Sequence, residues 1–269
     1  MIIDFHAHVF PDAIAEPTIK FLADKSGYTP FGNGTLHDLI ALMDRGGIDK
    51  SVVLPVVTKP SQFGSVNRFA AELNDTERLW CFGGIHPADE TPEAQLDEIK
   101  SKGLYGIKLH PDYQNAFIDD ERYIRIIRYA LSIGLAVITH AGVDDGCSGE
   151  VKCTPDRMLR VLEAVYSGNM PSDTKLILAH AGGYKMYSEV MQKLCGLPVY
   201  FDLAYVAQFT EADILMSVIR AHGTDKILFA SDSPWADPGV CAEKARELPL
   251  AAHELEMILS GNALRLLGK

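Results

Sequence analysis

Four histidines and one aspartate, His6, His8, His140, His180 and Asp232, have the types and the surroundings to act on one ligand. A neutral imidazole offers a nitrogen lone pair and a carboxylate an anionic oxygen, the donors that hold a divalent ion or move a proton near neutral pH. In His6-Ala7-His8 the spacing is i, i+2, so on an extended strand both rings share a face and form a two-toothed clamp. Val137-Ile138-Thr139-His140-Ala141-Gly142 and Ile177-Leu178-Ala179-His180-Ala181-Gly182 are near-repeats: an apolar run ends in a histidine, and small residues after it leave room for a ligand. Leu228-Phe229-Ala230-Ser231-Asp232-Ser233-Pro234-Trp235 delivers a carboxylate in the same manner. Singly, each reads as an ordinary core histidine or turn cap; together, at the ends of four apolar runs, they read as a site.

Residues so far apart meet at one point if the strands that carry them close into a barrel. Apolar, β-branched runs predict strands at about 2–7, 50–56, 79–85, 104–110, 135–140, 175–180, 198–203 and 226–231, eight in all. Helical patterns lie between them: over residues 119–133, Tyr123, Ile126, Ile127, Ala130 and Leu131 share a face and Gly134 supplies the stop. Thr35 with Asp38 and Thr210 with Asp213 are expected N-caps, and Thr154-Pro155 a helix start. The alternation predicts an α/β protein, a single (β/α)8 TIM barrel occupying residues 1–269 as one domain. An open doubly wound sheet would carry a glycine-rich phosphate loop after its first strand, where this chain has His6-Ala7-His8-Val9-Phe10-Pro11. Residues 8–34 and 141–154 are expected to be irregular connections covering the site.

Composition narrows the function. A net charge of −11 disfavours nucleic acid, whose backbone calls for clustered Lys and Arg. No apolar run approaches the roughly 20 residues that span a bilayer, so no membrane partner is expected. Strand-like sequence begins at Met1-Ile2-Ile3 without room for an export leader, and the five scattered cysteines fit reduced thiols; a cytoplasmic location is expected. Cys147 and Cys153 match no zinc spacing and read as ordinary thiols.

The motifs resemble the amidohydrolase superfamily, in particular its amidohydrolase 2 branch of metal-dependent barrel hydrolases and nonoxidative decarboxylases related to aminocarboxymuconate-semialdehyde decarboxylase. The resemblance runs through Ile3-Asp4-Phe5-His6-Ala7-His8, Gly106-Ile107-Lys108-Leu109-His110-Pro111, Thr139-His140-Ala141-Gly142, Ala179-His180-Ala181-Gly182-Gly183 and Ser231-Asp232-Ser233-Pro234-Trp235 to the tail Gly261-Asn262-Ala263-Leu264-Arg265-Leu266-Leu267. It implies that His6, His8, His140 and Asp232 hold one divalent ion and that His180 stands beside its open position. Such a donor set suits Zn²⁺, while Mn²⁺, Fe²⁺ and Co²⁺ accept similar sets, and a second ion remains open. Asp232 and His180 would be the catalytic proton carriers.

Strand four offers Lys108 and His110 where two-metal relatives carry a bridging carboxylated lysine or a glutamate. Lys108 is expected to bind a substrate anion as an ammonium; carboxylation to bridge a second ion and a place in a polar barrel layer are the alternatives. His110 is a substrate contact or a hydrogen-bonded strand end. Asp4 is expected to support the ligands from below, and Asp202 either meets substrate or simply ends a strand. Tyr184, Tyr205 and Trp235 line a pocket or pack on helices, and Glu150 with Asp144-Asp145 forms a solvated acidic loop. His86 resembles a residue of TatD-type nucleases, but the missing glutamate and the acidic charge weaken a phosphodiesterase reading. His37, His222 and His253 are assigned no chemistry.

The expected activity is hydrolysis of an amide, ester or lactone in a small, anionic molecule by metal-activated water. The alternative is nonoxidative decarboxylation of a small carboxylic acid; a length of 269 residues tilts the choice toward hydrolysis. Homo-oligomers are common among such barrels.

Overall fold

The computed structural model describes residues 1–74 and 77–269. All paired strands are parallel: β1 (Ile3–Ala7), β2 (Lys50–Val53), β3 (Leu79–Cys81 and Gly83–Gly84, interrupted at Phe82), β4 (Gly106–Leu109), β5 (Ala136–Thr139), β6 (Leu176–Leu178), β7 (Tyr200–Asp202) and β8 (Ile227–Leu228). Phe5 N–H donates to Phe229 O at 2.9 Å and Asp232 N–H to His6 O at 2.8 Å, which closes the last strand onto the first. Across the break in β3, Phe82 N–H donates to Val53 O and Tyr105 N–H to Cys81 O, each at 3.0 Å. The result is an eight-stranded α/β barrel, as the sequence predicts, with strands shorter at their ends than the apolar runs suggest.

Two apolar layers follow from strand alternation. Phe5, Val52, Phe82, Ile138, Ile177, Tyr200 and Leu228 fill the barrel, and Ala263 and Leu266 of the closing helix Asn262–Leu267 pack against them. The opposite parity, including Ile107, Val137, Leu178, Phe201 and Phe229, packs outward with the buried faces of the surrounding helices. A register shift between Asp4 and Ala7 marks a bulge in β1. Ile3 and Phe5 point into the barrel below it, and beyond it His6 and His8 do so instead. The shared parity of Asp4 with the histidines is therefore broken; Asp4 ties β1 to β8 by accepting from Ser231 N–H at 2.8 Å and Ser231 Oγ–H at 2.6 Å.

Local expectations fare unevenly. Thr35 and Thr154 cap their helices, and Asp120 caps Glu121–Ser132. Thr210 does not cap: the helix Ala212–His222 starts after Glu211, one residue later than the threonine would serve. Residues 8–34 are not all irregular, because Asp12–Ser26 forms the helix α1. Its only buried side chains are Ala15 and Ile19, so it lacks the broad apolar stripe that betrays a helix in sequence.

Gly182 occupies the left-handed region at φ +81°, and a Cβ there would stand 2.7 Å from the Phe201 ring. Gly182→Ala is expected to lower unfolding free energy by about 3 kcal/mol, read as a lower urea midpoint at unchanged slope.

His222 lies far from the site, stacked on Phe201 at 3.7 Å between ring centroids. Its Nε2–H donates to Val199 O and its Nδ1 accepts from Gly196 N–H, so a second proton would face an N–H. Burial lowers its pKa to about 4. The unfolded chain therefore takes up this proton first as pH falls, and stability is lost between about pH 6.5 and 4, on the order of 3 kcal/mol from this residue. Urea unfolding of His222→Gln across that window should lack this component.

Candidate active site

The C-terminal ends of the strands open into a cavity of about 480 Å³. Its floor holds His6 and His8 from β1, Lys108 and His110 from β4, His140 after β5, His180 after β6 and Asp232 after β8. The structure thus gathers the seven residues expected as ligands, proton carriers or substrate contacts. Lys108, His140 and Asp232 keep the inward parity of their strands. His180 does not, and is turned inward by left-handed backbone at His180, Ala181 and Gly182 (φ +60°, +56° and +81°). Two non-glycine residues held there are a local strain of the kind that collects at functional sites.

Hydrogen-bond partners fix the tautomers. His6 Nδ1 lies 2.7 Å from Asp202 Oδ2 and His8 Nδ1 2.8 Å from Leu54 O, so both nitrogens carry the proton and both Nε2 atoms carry lone pairs. Those lone pairs meet an acceptor: Asp232 Oδ1 is 3.4 Å from His6 Nε2 and 3.2 Å from His8 Nε2. Three acceptors converging without a donor repel unless a cation lies among them, and these ligand atoms all fall within 4.8 Å of one another. Lys108 Nζ answers part of this demand from 3.0 Å, donating to His6 Nε2.

His180 Nδ1–H donates to Ala204 O at 3.0 Å, leaving Nε2 as a lone pair. Its neighbour at 3.0 Å, His140 Nδ1, must then be the donor, which leaves the buried His140 Nε2 a lone pair with no partner. A nitrogen so orphaned suits a metal ligand. His140 stacks on His110 at 4.4 Å and belongs by distance to a second group, His110, His140 and Asp144, rather than to the first. In that second group His110 Nδ1 accepts from Tyr113 N–H, so its Nε2–H can face Asp144 Oδ2, 3.4 Å away; a donor meets an acceptor there and no ion is needed to offset repulsion.

The charges respond to burial. Desolvation, then the Lys108 ammonium, hold His6 and His110 well below the ordinary imidazole range, and desolvation with His110 does the same to His140. All three stay neutral and able to ligate. Desolvation lowers Lys108 to about 8 against the pull of Asp202 and Asp232.

Two residues here were underrated in the sequence. Asp202 is fully buried and accepts from His6 Nδ1–H, from His180 N–H at 2.7 Å and from Ala204 N–H at 3.1 Å. Its signal was a carboxylate ending the apolar run Val199-Tyr200-Phe201. Asp144 is no solvated loop residue: Gly142 and Val143 pair with Tyr184, and the turn carries Asp144 over the floor. Tyr184, Tyr205 and Trp235 line the cavity, whereas Glu150 pairs with Arg157 at 2.7 Å and His86 accepts from Ala88 N–H.

A parallel α/β barrel with a histidine and carboxylate site at its C-terminal mouth defines a class of enzymes that work on small molecules there. The chain belongs to the amidohydrolase family, whose amidohydrolase 2 model matches residues 3–269. No curated protein matches it in sequence. Among solved structures, an uncharacterized TIM-barrel protein from Bordetella bronchiseptica is 21% identical with a TM-score of 0.76, covering 99% of this chain and 98% of that one. A 5-carboxyvanillate decarboxylase from Sphingomonas paucimobilis is 14% identical with a TM-score of 0.70, over 99% and 98%. A dihydroxybenzoic acid decarboxylase from Polaromonas, solved with manganese and the inhibitor 2-nitroresorcinol, is 15% identical with a TM-score of 0.71, over 99% and 96%. At these identities the likeness establishes the fold. The coverage also removes the length argument for hydrolysis, since this chain spans nearly the whole of both decarboxylases.

Proposed function

We propose that the protein is a metal-dependent nonoxidative decarboxylase of a small carboxylic acid. The observation that carries this reading is a floor with one ammonium and a ready cation site under an apolar enclosure: Lys108 and the converging acceptors His6, His8 and Asp232 lie beneath walls that include Phe10, Phe69 and Tyr205. A carboxylate drawn into such a place loses its water, while the CO2 that leaves is neutral and needs none. The solved decarboxylases of the same fold add support.

His6, His8 and Asp232 would hold one divalent ion, with His140 Nε2 as the further donor, Zn²⁺ and Mn²⁺ both fitting the set. When bound, the ion would act as a Lewis acid toward substrate oxygens and offset the negative charge that builds as CO2 departs. Lys108 pairs with the substrate's anionic head. The C–C bond breaks with its electron pair left on carbon, and that carbon takes a proton. That proton comes from solvent: with Nδ1–H fixed on Ala204 O, His180 takes it up at Nε2 in place of the His140 Nδ1–H contact and hands it to the carbon, returning to its neutral form. Asp202 holds His180's backbone and His6's ring in one grip.

Hydrolysis is the second reading, favoured by the His180 Nε2 lone pair, which equally serves as a base toward water. Reactions of candidate acids, esters and lactones in H₂¹⁸O and in D₂O separate the two. CO2 release with deuterium on carbon supports decarboxylation; ¹⁸O in the product overturns it. Lys108→Met keeps the volume of a side chain that is 1% exposed and removes its charge. It is expected to lower kcat/KM by about 10² to 10³ with metal content unchanged.

A further inference from the structure

The cavity carries its positive charge in one place and its apolar surface in another. Among its lining residues Lys108 is the one Lys or Arg. It stands 3.0 Å from His6 Nε2, the lone pair the proposed ion would take over, and the ammonium so released would share one head group with the ion. Higher up, Asp144 and Asp145 face the cavity, and the ammonium groups near them are engaged elsewhere: Lys185 Nζ is held by Asp145 at 2.6 Å and Lys25 Nζ lies 5.2 Å over the Tyr113 ring.

The wall above the floor is built by α1 and by the helix α3, here residues Phe63–Leu73. Ile14, Thr18, Phe21 and Leu22 of α1 follow an i, i+4, i+7, i+8 spacing, so one face of this helix turns on the cavity. The helix is seated by Ala15 and Ile19, while Ile14 and Phe21 are 49% and 64% exposed. Large apolar side chains left open at a cavity rim gain by burial under a ligand. Phe69 contributes a further ring from α3, and Tyr28 and Tyr205, stacked on each other at 5.1 Å, also line the cavity. A volume of about 480 Å³ falls in the range that encloses ligands much larger than one benzene ring.

We propose that the substrate is a monoanion with one carboxylate head for Lys108 and an extended aromatic body lying against α1 and α3. This rests on the floor being a carboxylate-binding centre. Dicarboxylates are disfavoured because their second charge meets the Asp144 carboxylate and would have to compete with Asp145 for Lys185, and single-ring acids leave Ile14 and Phe21 in water.

Calorimetric titration of Zn²⁺-loaded protein with benzoate, biphenyl-4-carboxylate and biphenyl-4,4′-dicarboxylate tests this. The biphenyl monoacid is expected to bind at least about tenfold more tightly than benzoate and at least about tenfold more tightly than the diacid. Phe21→Ala, at an exposed position that does not support the fold, should remove most of the gain over benzoate while leaving benzoate itself within about twofold. Equal affinity for benzoate and the biphenyl monoacid, tighter binding of the diacid, or equal weakening of both monoacids by Phe21→Ala would overturn the proposal. Binding is read without turnover. The expected binding preferences with no CO2 released from ring-hydroxylated forms of these acids, in which a hydroxyl beside the carboxylate gives the electron pair a place to go, would sink the decarboxylase reading alone, and CO2 release from a dicarboxylate that binds best would sink this one alone.

Discussion

Asp232→Ala is expected to lower kcat by about 10⁴-fold or more and to leave the protein unable to retain a stoichiometric divalent ion. Asp232 supplies the one carboxylate in the first group of convergent donors, within 3.4 Å of both His6 Nε2 and His8 Nε2. Without it the ion is left with neutral imidazoles alone, His6, His8 and the further donor His140, and loses the one anionic ligand that offsets its charge. The fold should survive. Removing an oxygen that faces two lone pairs relieves repulsion in the metal-free protein, so its Tm is expected to hold or rise. Adding Zn²⁺ should then raise the wild-type Tm and leave the variant's unmoved, because binding to the native state alone stabilises it. Asp232 lies at φ +72°, where asparagine is better tolerated than alanine, so Asp232→Asn separates charge from backbone. Retained turnover in either variant would remove the carboxylate from the chemistry.

Asp202→Asn is the second large effect, and it acts through His6. The asparagine oxygen can still accept from His180 N–H and Ala204 N–H, as Asp202 Oδ1 does. Its NH₂ then faces His6 Nδ1 in place of the Oδ2 that lies 2.7 Å away. Two donors cannot share that contact, so the ring must move its proton to Nε2 and lose the lone pair aimed at the ion. Zn²⁺ affinity, read by competition with a chromophoric chelator, is expected to fall about 10- to 100-fold. The substitution also trades a buried anion beside Lys108 for a neutral group, so some loss of stability accompanies it. Unchanged affinity would show that the carboxylate serves packing alone.

The barrel and most of the site were legible because both rest on strand periodicity. An apolar run that ends in His140, Lys108 or Asp232 fixes the side of the sheet those residues occupy, and the barrel does the rest. What escaped depends on backbone features with no period. The bulge in β1 decides that His6, rather than Asp4, joins His8 above Phe5. The left-handed turn at His180 reverses a parity that would have sent the ring outward. Asp144 arrives by a loop whose course is set by pairing between Gly142 and Tyr184. The helix α1 was missed because the residues it turns on the cavity, Ile14, Phe21 and Leu22, are built to face a ligand and not a core. Asp202 was visible as a strand-end carboxylate, but its role depends on a partner 196 positions away.

The ligand set is also where sequence resemblance and geometry differ most. Resemblance joins His140 to His6, His8 and Asp232; by distance His140 sits with His110 and Asp144. The tautomers favour an ion at the first three, since those acceptors face one another while in the His110–Asp144 pair a donor faces an acceptor.

Anomalous diffraction from crystals grown with Zn²⁺, recorded on both sides of the zinc edge, decides between them. The expected map holds one peak at about 2.0–2.2 Å from His6 Nε2, His8 Nε2 and an Asp232 oxygen. A peak confined to His110, His140 and Asp144, or none at all in crystals soaked to saturation, would contradict the metal centre on which the proposed chemistry stands.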